Sequence, residues 1–307
     1  MLRVLVTGGT GFIGGALVRA LLSRGNLVTV LTRDAAKGRS KVPRDARVVA
    51  WSPGKPGPWE DELSVVDAVV HLAGATVVKR WTDSYKKQIR SSRVDTARAL
   101  VDAIGKHEHR PEVLVSASGV GYYGADHPGE ELDEGSGPGS DFLAKVCIDW
   151  ESEARRVEDH GVRSVQLRIG SVLGEGGGMV DGMVQLGGAF VGGPIGKGDN
   201  IVSWVHLDDV VGMILMAIDD DSISGPINAT SPYVATQREL AETMGSVLGR
   251  PALGVPLPVA KAILGDLVSA ACGSLNAQPK RAMELGYEYH YAHLTPALED
   301  ALMAEHP

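Results

Sequence analysis

The chain has 307 residues, 44% hydrophobic and 22% charged, a balance that suits a globular protein with one large core, or a core and a smaller lobe, rather than a disordered chain. Its net charge of -8 argues against nucleic acid or an anionic membrane as partner, because those are held by clustered Lys and Arg, and the densest basic run is only Lys86-Lys87-Gln88-Ile89-Arg90. Its two cysteines, Cys147 and Cys272, have no CxxC or Cys/His ligand spacing, so neither a disulfide framework nor a metal site is expected, and a reducing cytoplasm is the expected compartment.

In chain order, Leu2-Arg3-Val4-Leu5-Val6-Thr7 is an apolar run, Gly8-Gly9-Thr10-Gly11-Phe12-Ile13-Gly14 a glycine-rich turn, and Ala16 to Leu22 the start of a helix. Because the chain reads as strand from its first residues, no signal peptide is expected. A glycine turn between a buried parallel strand and a helix brings backbone N–H groups and the positive end of the helix dipole against a pyrophosphate. Two registers fit, Gly9-x-Gly11-x-x-Gly14 and Gly8-x-x-Gly11-x-x-Gly14, and the expected ligand is a dinucleotide.

Leu27-Val28-Thr29-Val30-Leu31 is a second buried strand, which completes a β-α-β unit and requires a parallel sheet. Further strands are expected at Arg47 to Ala50, Val65 to Ala73, Glu112 to Ser116 and Val162 to Ile169. Ser84 to Ile104 and Phe142 to Asp159 have helical spacing, and the Gly-, Pro- and acid-rich Gly124 to Ser140 reads as loop. The acids Glu130, Glu131, Asp133 and Glu134 are expected to be solvated there.

Strands alternating with helices indicate an α/β fold, a Rossmann-type doubly wound parallel sheet in residues 1–170, followed in 171–307 by a substrate loop and a smaller, mostly helical C-terminal lobe. Gly174 to Asn200 is glycine-rich, with a helical apolar pattern from Met179 to Phe190, and reads as a substrate loop. Ile201 to Asp209 is a strand entering a helix, with Asp208 or Asp209 placed to cap it. Leu240 to Leu248 is helical, and Leu253 to Ala271, too rich in Pro and charge for a bilayer span, reads as a packed helix.

The second strand ends Thr32-Arg33-Asp34, where a dinucleotide fold chooses its cofactor. An acid at the strand tip binds both ribose hydroxyls and repels a 2′-phosphate, whereas a hydroxyl with an arginine reverses the preference. Asp34 either caps the next turn, which favours NADP, or faces the ribose, which favours NAD. The small residues of Leu72-Ala73-Gly74 are expected beside the adenosine.

The turn Thr7 to Gly14, the strand end Val70-His71-Leu72-Ala73-Gly74 and Tyr122-Tyr123-Gly124 together resemble an extended short-chain dehydrogenase/reductase. Ser91-Ser92-Arg93-Val94, Ser116 to Gly124, Asp141-Phe142-Leu143, Asp149-Trp150-Glu151, Gly192 to Gly198, Ser203-Trp204-Val205-His206 and Gly286-Tyr287-Glu288-Tyr289 resemble one branch of it, the "epimerase family protein" group of nucleoside-diphosphate-sugar epimerase-like chains. The segment 255–298 resembles that group's small C-terminal domain. Counted by the superfamily's spacing from Gly14, Thr32 takes the acid's position and Arg33 follows, so NADP is favoured over NAD. The resemblance implies NADP binding through Gly8, Thr10, Gly11, Phe12, Ile13 and Gly14, through Thr32 and Arg33, through Leu72 and Ala73, and through Arg93 and the backbone near Val172. It also allows a homodimer.

Hydride chemistry in this superfamily uses a Tyr four residues before a Lys, with a Ser or Thr holding the substrate oxygen. Here Asp141 stands four residues before Lys145, and an aspartate with an ordinary pKa near 4 is a base at neutral pH, not a proton donor. The candidate catalytic residues are Ser118, which either serves the substrate or satisfies its strand end, Tyr123, and Lys145. Tyr122, Arg168, Trp204 and His206 are candidates for the substrate pocket, with a satisfied residue near a helix start as the blander reading of His206. Two functions stay open: an NADP-dependent oxidoreductase or epimerase on a small hydroxyl or carbonyl compound, such as a sugar nucleotide, and a non-catalytic NADP-binding redox sensor or structural partner.

Overall fold

The apolar runs become one parallel sheet in the computed structural model, which describes residues 1–181 and 191–303. Its strands are β1 (Arg3–Thr7), β2 (Leu27–Thr32), β3 (Arg47–Ala50), β4 (Ala68–His71), β5 (Val113–Gly119), β6 (Arg163–Ile169) and β7 (Gly225–Ala229). They lie in the order β3-β2-β1-β4-β5-β6-β7, every neighbouring pair parallel. The order reverses direction between β1 and β4, and ligands of open α/β sheets bind beyond the strand ends at such a switch point.

Side-chain alternation sends one set of each strand's residues to each face. Val4 and Val6 of β1 meet Leu17, Val18 and Leu21 of helix α1 (Phe12–Ser23), while Leu5 between them joins Val69 and Leu114 under helix α2 (Asp83–Ile104). With both faces covered, these strands read as near-continuous apolar runs rather than as an alternating pattern. Helix α3 (Phe142–Arg155) packs beside α2, and α4 (Leu207–Asp219) beside α1.

Short pairings build the remainder. Ser171–Leu173 runs parallel to Trp204–His206, Val191–Ile195 to Ala252–Val255, and Glu131–Leu132 to Asn276–Ala277. Helices α5 (Gln237–Leu248), α6 (Leu257–Leu264) and α7 (Leu294–Met303) follow, and among the described residues no helix is long and apolar enough to cross a membrane.

Several details depart from the sequence expectations. The expected helix through Ala271 is broken: Gly265, at φ +61°, separates α6 from Leu267–Cys272, and Leu257, Val259 and Ile263 stand half-exposed at 48%, 48% and 53% instead of packed. Glu134 is not simply solvated, because it accepts from the backbone N–H of Asn228 at 2.9 Å. Residues 182–190 of the expected Met179 to Phe190 helix lie outside the described residues.

The cap of α4 is His206, not an aspartate; its Nδ1 accepts from Asp208 N–H at 3.2 Å. Asp209 is engaged elsewhere. Fully buried, its carboxylate accepts from the Tyr287 hydroxyl at 3.1 Å, His290 N–H at 2.8 Å and Tyr291 N–H at 3.1 Å, which clasps the returning chain onto α4. Asp209→Ala leaves the His290 and Tyr291 N–H groups without their acceptor, while Tyr287 keeps the carbonyl of residue 209 at 3.1 Å, and should cost about 2–3 kcal/mol, read as a lower urea midpoint; an unchanged midpoint would show that the clasp contributes nothing.

Candidate functional site

The glycine turn is shaped by close approach. A Cβ on Gly14 would lie 2.2 Å from the Gly8 carbonyl oxygen, and Gly8 itself, at φ +74°, would bring a Cβ within 2.8 Å of the Leu72 carbonyl. Gly11 donates its N–H to the Gly8 carbonyl at 2.9 Å and caps α1 without any side-chain acceptor. The orphan N–H groups of the first turn, together with a cradle that no side chain fills, suit an anionic group at this helix end. Phe12 leaves the same turn against the later glycines, for a Cβ on Gly177 would lie 2.6 Å from its ring and one on Gly178 2.9 Å. That contact brings the chain just after Val172 to the cleft.

Around the turn, Thr32 is half-buried at the end of β2 and Arg33 is exposed beside it. Asp34 caps the short helix Ala35–Arg39, accepting from Lys37 N–H at 3.0 Å, with the Lys37 ammonium 3.7 Å away. Across the cleft, Gly74 gives room to Arg93, whose guanidinium carbon would lie 3.1 Å from a Cβ there. Arg93 donates to the Ile89 carbonyl at 3.1 Å and sits 5.3 Å from the Trp150 ring centroid. Beneath them the fully buried His71 contacts Thr7 at 2.7 Å and Thr96 at 3.2 Å, and burial pulls its pKa down to about 4.

The structure gathers Ser118, Tyr123 and Arg168 into one buried polar network. Ser118 donates to Glu151 at 2.7 Å; Arg168 pairs with both Glu151 oxygens, Nε and Nη2 each at 2.9 Å; and Arg168 donates to the Tyr123 oxygen at 3.0 Å. Tyr123 in turn donates to Asn228 at 2.7 Å. Glu151 and Arg168 are 1% and 3% exposed. Burial alone would lower the Arg168 pKa, but the Glu151 carboxylate raises it overall, so the guanidinium stays charged. Burial pushes the Tyr123 phenol up to about 12. The half-buried Tyr122 ring rests on this network, its centroid 3.5 Å from the Arg168 guanidinium carbon.

The other predicted residues stand apart. Lys145 is exposed on α3, and Asp141 is that helix's cap, accepting from Ala144 N–H at 2.9 Å and Ala125 N–H at 2.8 Å. Trp204 is buried among Leu173, Leu240 and Leu298. His206, besides its capping bond, lies 3.2 Å from Asp300 and 4.0 Å, centroid to centroid, from the Tyr291 ring, and burial lowers its pKa. His71 and Glu151 stand in the motifs of the resemblance without an assigned role, and Asn228 stands in none of them. Glu151 had a signal: helical spacing puts it on the buried face with Ala144, Cys147 and Ala154.

Comparison with known proteins follows the same outline. Residues 4–230 match the NAD dependent epimerase/dehydratase family, and residues 255–301 a domain of unknown function, DUF1731. The epimerase family protein SDR39U1 homolog, chloroplastic, of Arabidopsis thaliana is 39% identical over 97% of this chain and 86% of its own length. The crystal structure of human epimerase family protein SDR39U1 (isoform 2) with NADPH superposes at TM-score 0.85, with 33% identity over 98% of this chain and 99% of that one. A UDP-glucuronic acid 4-epimerase from Bacillus cereus, in complex with UDP-glucuronic acid and NAD, shares the fold at TM-score 0.79 and 17% identity over 98% of each chain.

Two outcomes follow from these geometries. Glu151→Gln leaves a buried guanidinium without its counter-charge and should cost about 3–5 kcal/mol in denaturant unfolding; a loss within 0.5 kcal/mol, about what a surface change costs, would contradict the pairing. His71 takes up a proton near pH 6.5 when unfolded but only near pH 4 when folded, so between these the unfolded state binds more protons and stability falls as pH drops. The loss should approach about 3 kcal/mol, and the slope over that window should flatten in His71→Asn.

Proposed function

Because the chain belongs to the NAD dependent epimerase/dehydratase family, we propose that it binds NADP(H) at the switch point and works as an oxidoreductase or epimerase on a small hydroxyl or carbonyl compound, such as a sugar nucleotide. The observation that carries the reading is the approach of Gly14 to the Gly8 carbonyl, which opens the N-terminus of α1 to a pyrophosphate. The human relative, crystallised with NADPH, supports the choice of dinucleotide.

Thr32 and Arg33 hold the 2′-phosphate, and the Asp34 carboxylate, committed to Lys37, does not oppose it. Leu72, Ala73 and Gly74 flank the adenosine half; Arg93 and the backbone near Val172 close over the remainder. The cofactor supplies hydride transfer. Tyr122 lies beside the cleft end of β5, and its phenol moves the proton at the substrate oxygen; among the described residues its hydroxyl has no hydrogen-bond partner. Ser118 and Tyr123, whose hydroxyls go to Glu151 and Asn228, hold the guanidinium beneath that ring. Arg168 thus reaches the pocket through Tyr122, whereas Trp204 belongs to the neighbouring apolar core, His206 caps α4, and Lys145 remains a solvated helix residue.

A second reading, an NADP-responsive sensor without turnover, draws on Asp141, a cap where the superfamily has its catalytic tyrosine. Turnover decides between them. Tyr122→Phe should lower NADPH oxidation across a carbonyl panel about a hundredfold or more with NADPH binding unchanged; wild-type protein that binds NADPH and turns over nothing favours the sensor, and full activity in the variant removes Tyr122 from the chemistry. Arg33→Ala should weaken NADPH about tenfold by fluorescence titration while leaving NADH alone; equal loss of both cofactors would show that Arg33 does not read the 2′-phosphate.

A further inference from the structure

We propose that His71 is the positioning residue of the dinucleotide cleft, locking the three cofactor-facing segments together through a one-way chain of hydrogen bonds; the proposal rests on the NADP(H) reading above. The chain starts at Ala73, whose backbone N–H donates to Thr7 Oγ1 at 3.3 Å. Thr7 then donates to His71 Nδ1 at 2.7 Å, His71 Nε2–H donates to Thr96 Oγ1 at 3.2 Å, and Thr96 donates to the Ser92 carbonyl at 2.7 Å, with the Arg93 carbonyl at 2.9 Å.

Both ends set the direction, because an amide can only donate and a carbonyl can only accept. The opposite tautomer would draw the Thr96 proton away from its carbonyls and leave the Thr7 proton without a place. Since burial keeps the ring neutral, one tautomer must be chosen, and the network selects Nε2–H. Trp51 and Trp150 pack edge-on against the ring at 6.3 and 6.1 Å, which restrains it from turning over.

What the chain joins gives it a use. Thr7 leads into the glycine turn; Ala73 lies where Gly8 touches the Leu72 carbonyl; and Ser92 and Arg93 share one turn of α2. The Ser92 hydroxyl also accepts from Ala75 N–H at 2.9 Å. The phosphate cradle, the adenosine wall and the Arg93 guanidinium therefore keep one spacing, set through a single imidazole.

Two measurements on the full chain test this. Long-range proton–nitrogen NMR on histidine-labelled protein, with the His71 signals assigned by their loss in His71→Asn, should show the Nε2–H tautomer both free and with NADPH; an Nδ1–H ring overturns the proposal. NADPH titration should show about tenfold weaker binding in His71→Leu, and most of that loss recovered in His71→Asn, which keeps an acceptor for Thr7. A folded His71→Leu that binds as the wild type does would also overturn it; if His71→Leu does not fold, the tautomer and the binding of His71→Asn, predicted within about threefold of wild type, decide. Wild-type protein that bound no NADPH would overturn the cofactor reading itself, whereas wild-type binding with indifferent variants removes only the role of His71.

Discussion

The approach of Gly14 to the carbonyl oxygen of Gly8 is the contact on which this molecule turns. With 2.2 Å between that oxygen and the place a Cβ would occupy, no other residue allows α1 to leave β1 so sharply. The sharp exit lets α1 pack on β1 and bury Leu17, Val18 and Leu21 while its first turn still opens onto the switch point. Gly8 performs the companion task toward β4, lying against the Leu72 carbonyl and so drawing Leu72-Ala73-Gly74 up to the turn. One steric condition thus joins the packing of the fold to the shape of the cleft.

On the other side of the cleft a different device holds the structure. Burying Glu151 and Arg168 removes two charges from water, which costs several kcal/mol per ion unless nearly every polar group is satisfied. Here that condition is met, since Ser118, Tyr123 and Asn228 extend the pair in both directions. Such a network is a poor source of stability and a good source of geometry. It keeps a flat cation beneath the Tyr122 ring, the aromatic residue at the end of β5 that remains half-buried.

Much of the architecture was legible because the physics behind it is local. A buried parallel strand is an apolar run, a phosphate turn needs glycines at fixed steps, and α2 announces itself by its spacing. The family resemblance was legible for the same reason, in motifs that span the chain. Individual roles were less so. In sequence, a serine facing the cleft is the same as Ser118 facing Glu151, and only α3 packed against β5 decides between them. The cap of α4 was likewise open: either aspartate suits an N-terminus by propensity, but the returning tyrosine segment claims Asp209, and His206 takes the position. Leu257, Val259 and Ile263 read as core by composition alone, yet Gly265 breaks their helix and they stand at the surface.

Whether the glycine turn and Arg33 bind NADP(H), with the Tyr122 phenol toward the reacting end, would be seen in a crystal structure of this chain grown with NADPH. The pyrophosphate should lie against the N–H groups at the start of α1, the 2′-phosphate between Thr32 and Arg33, and the Tyr122 hydroxyl should be the nearest phenol to the nicotinamide. A dinucleotide bound away from the Gly8 to Gly14 turn, or one whose 2′-phosphate points away from Arg33, would contradict this placement.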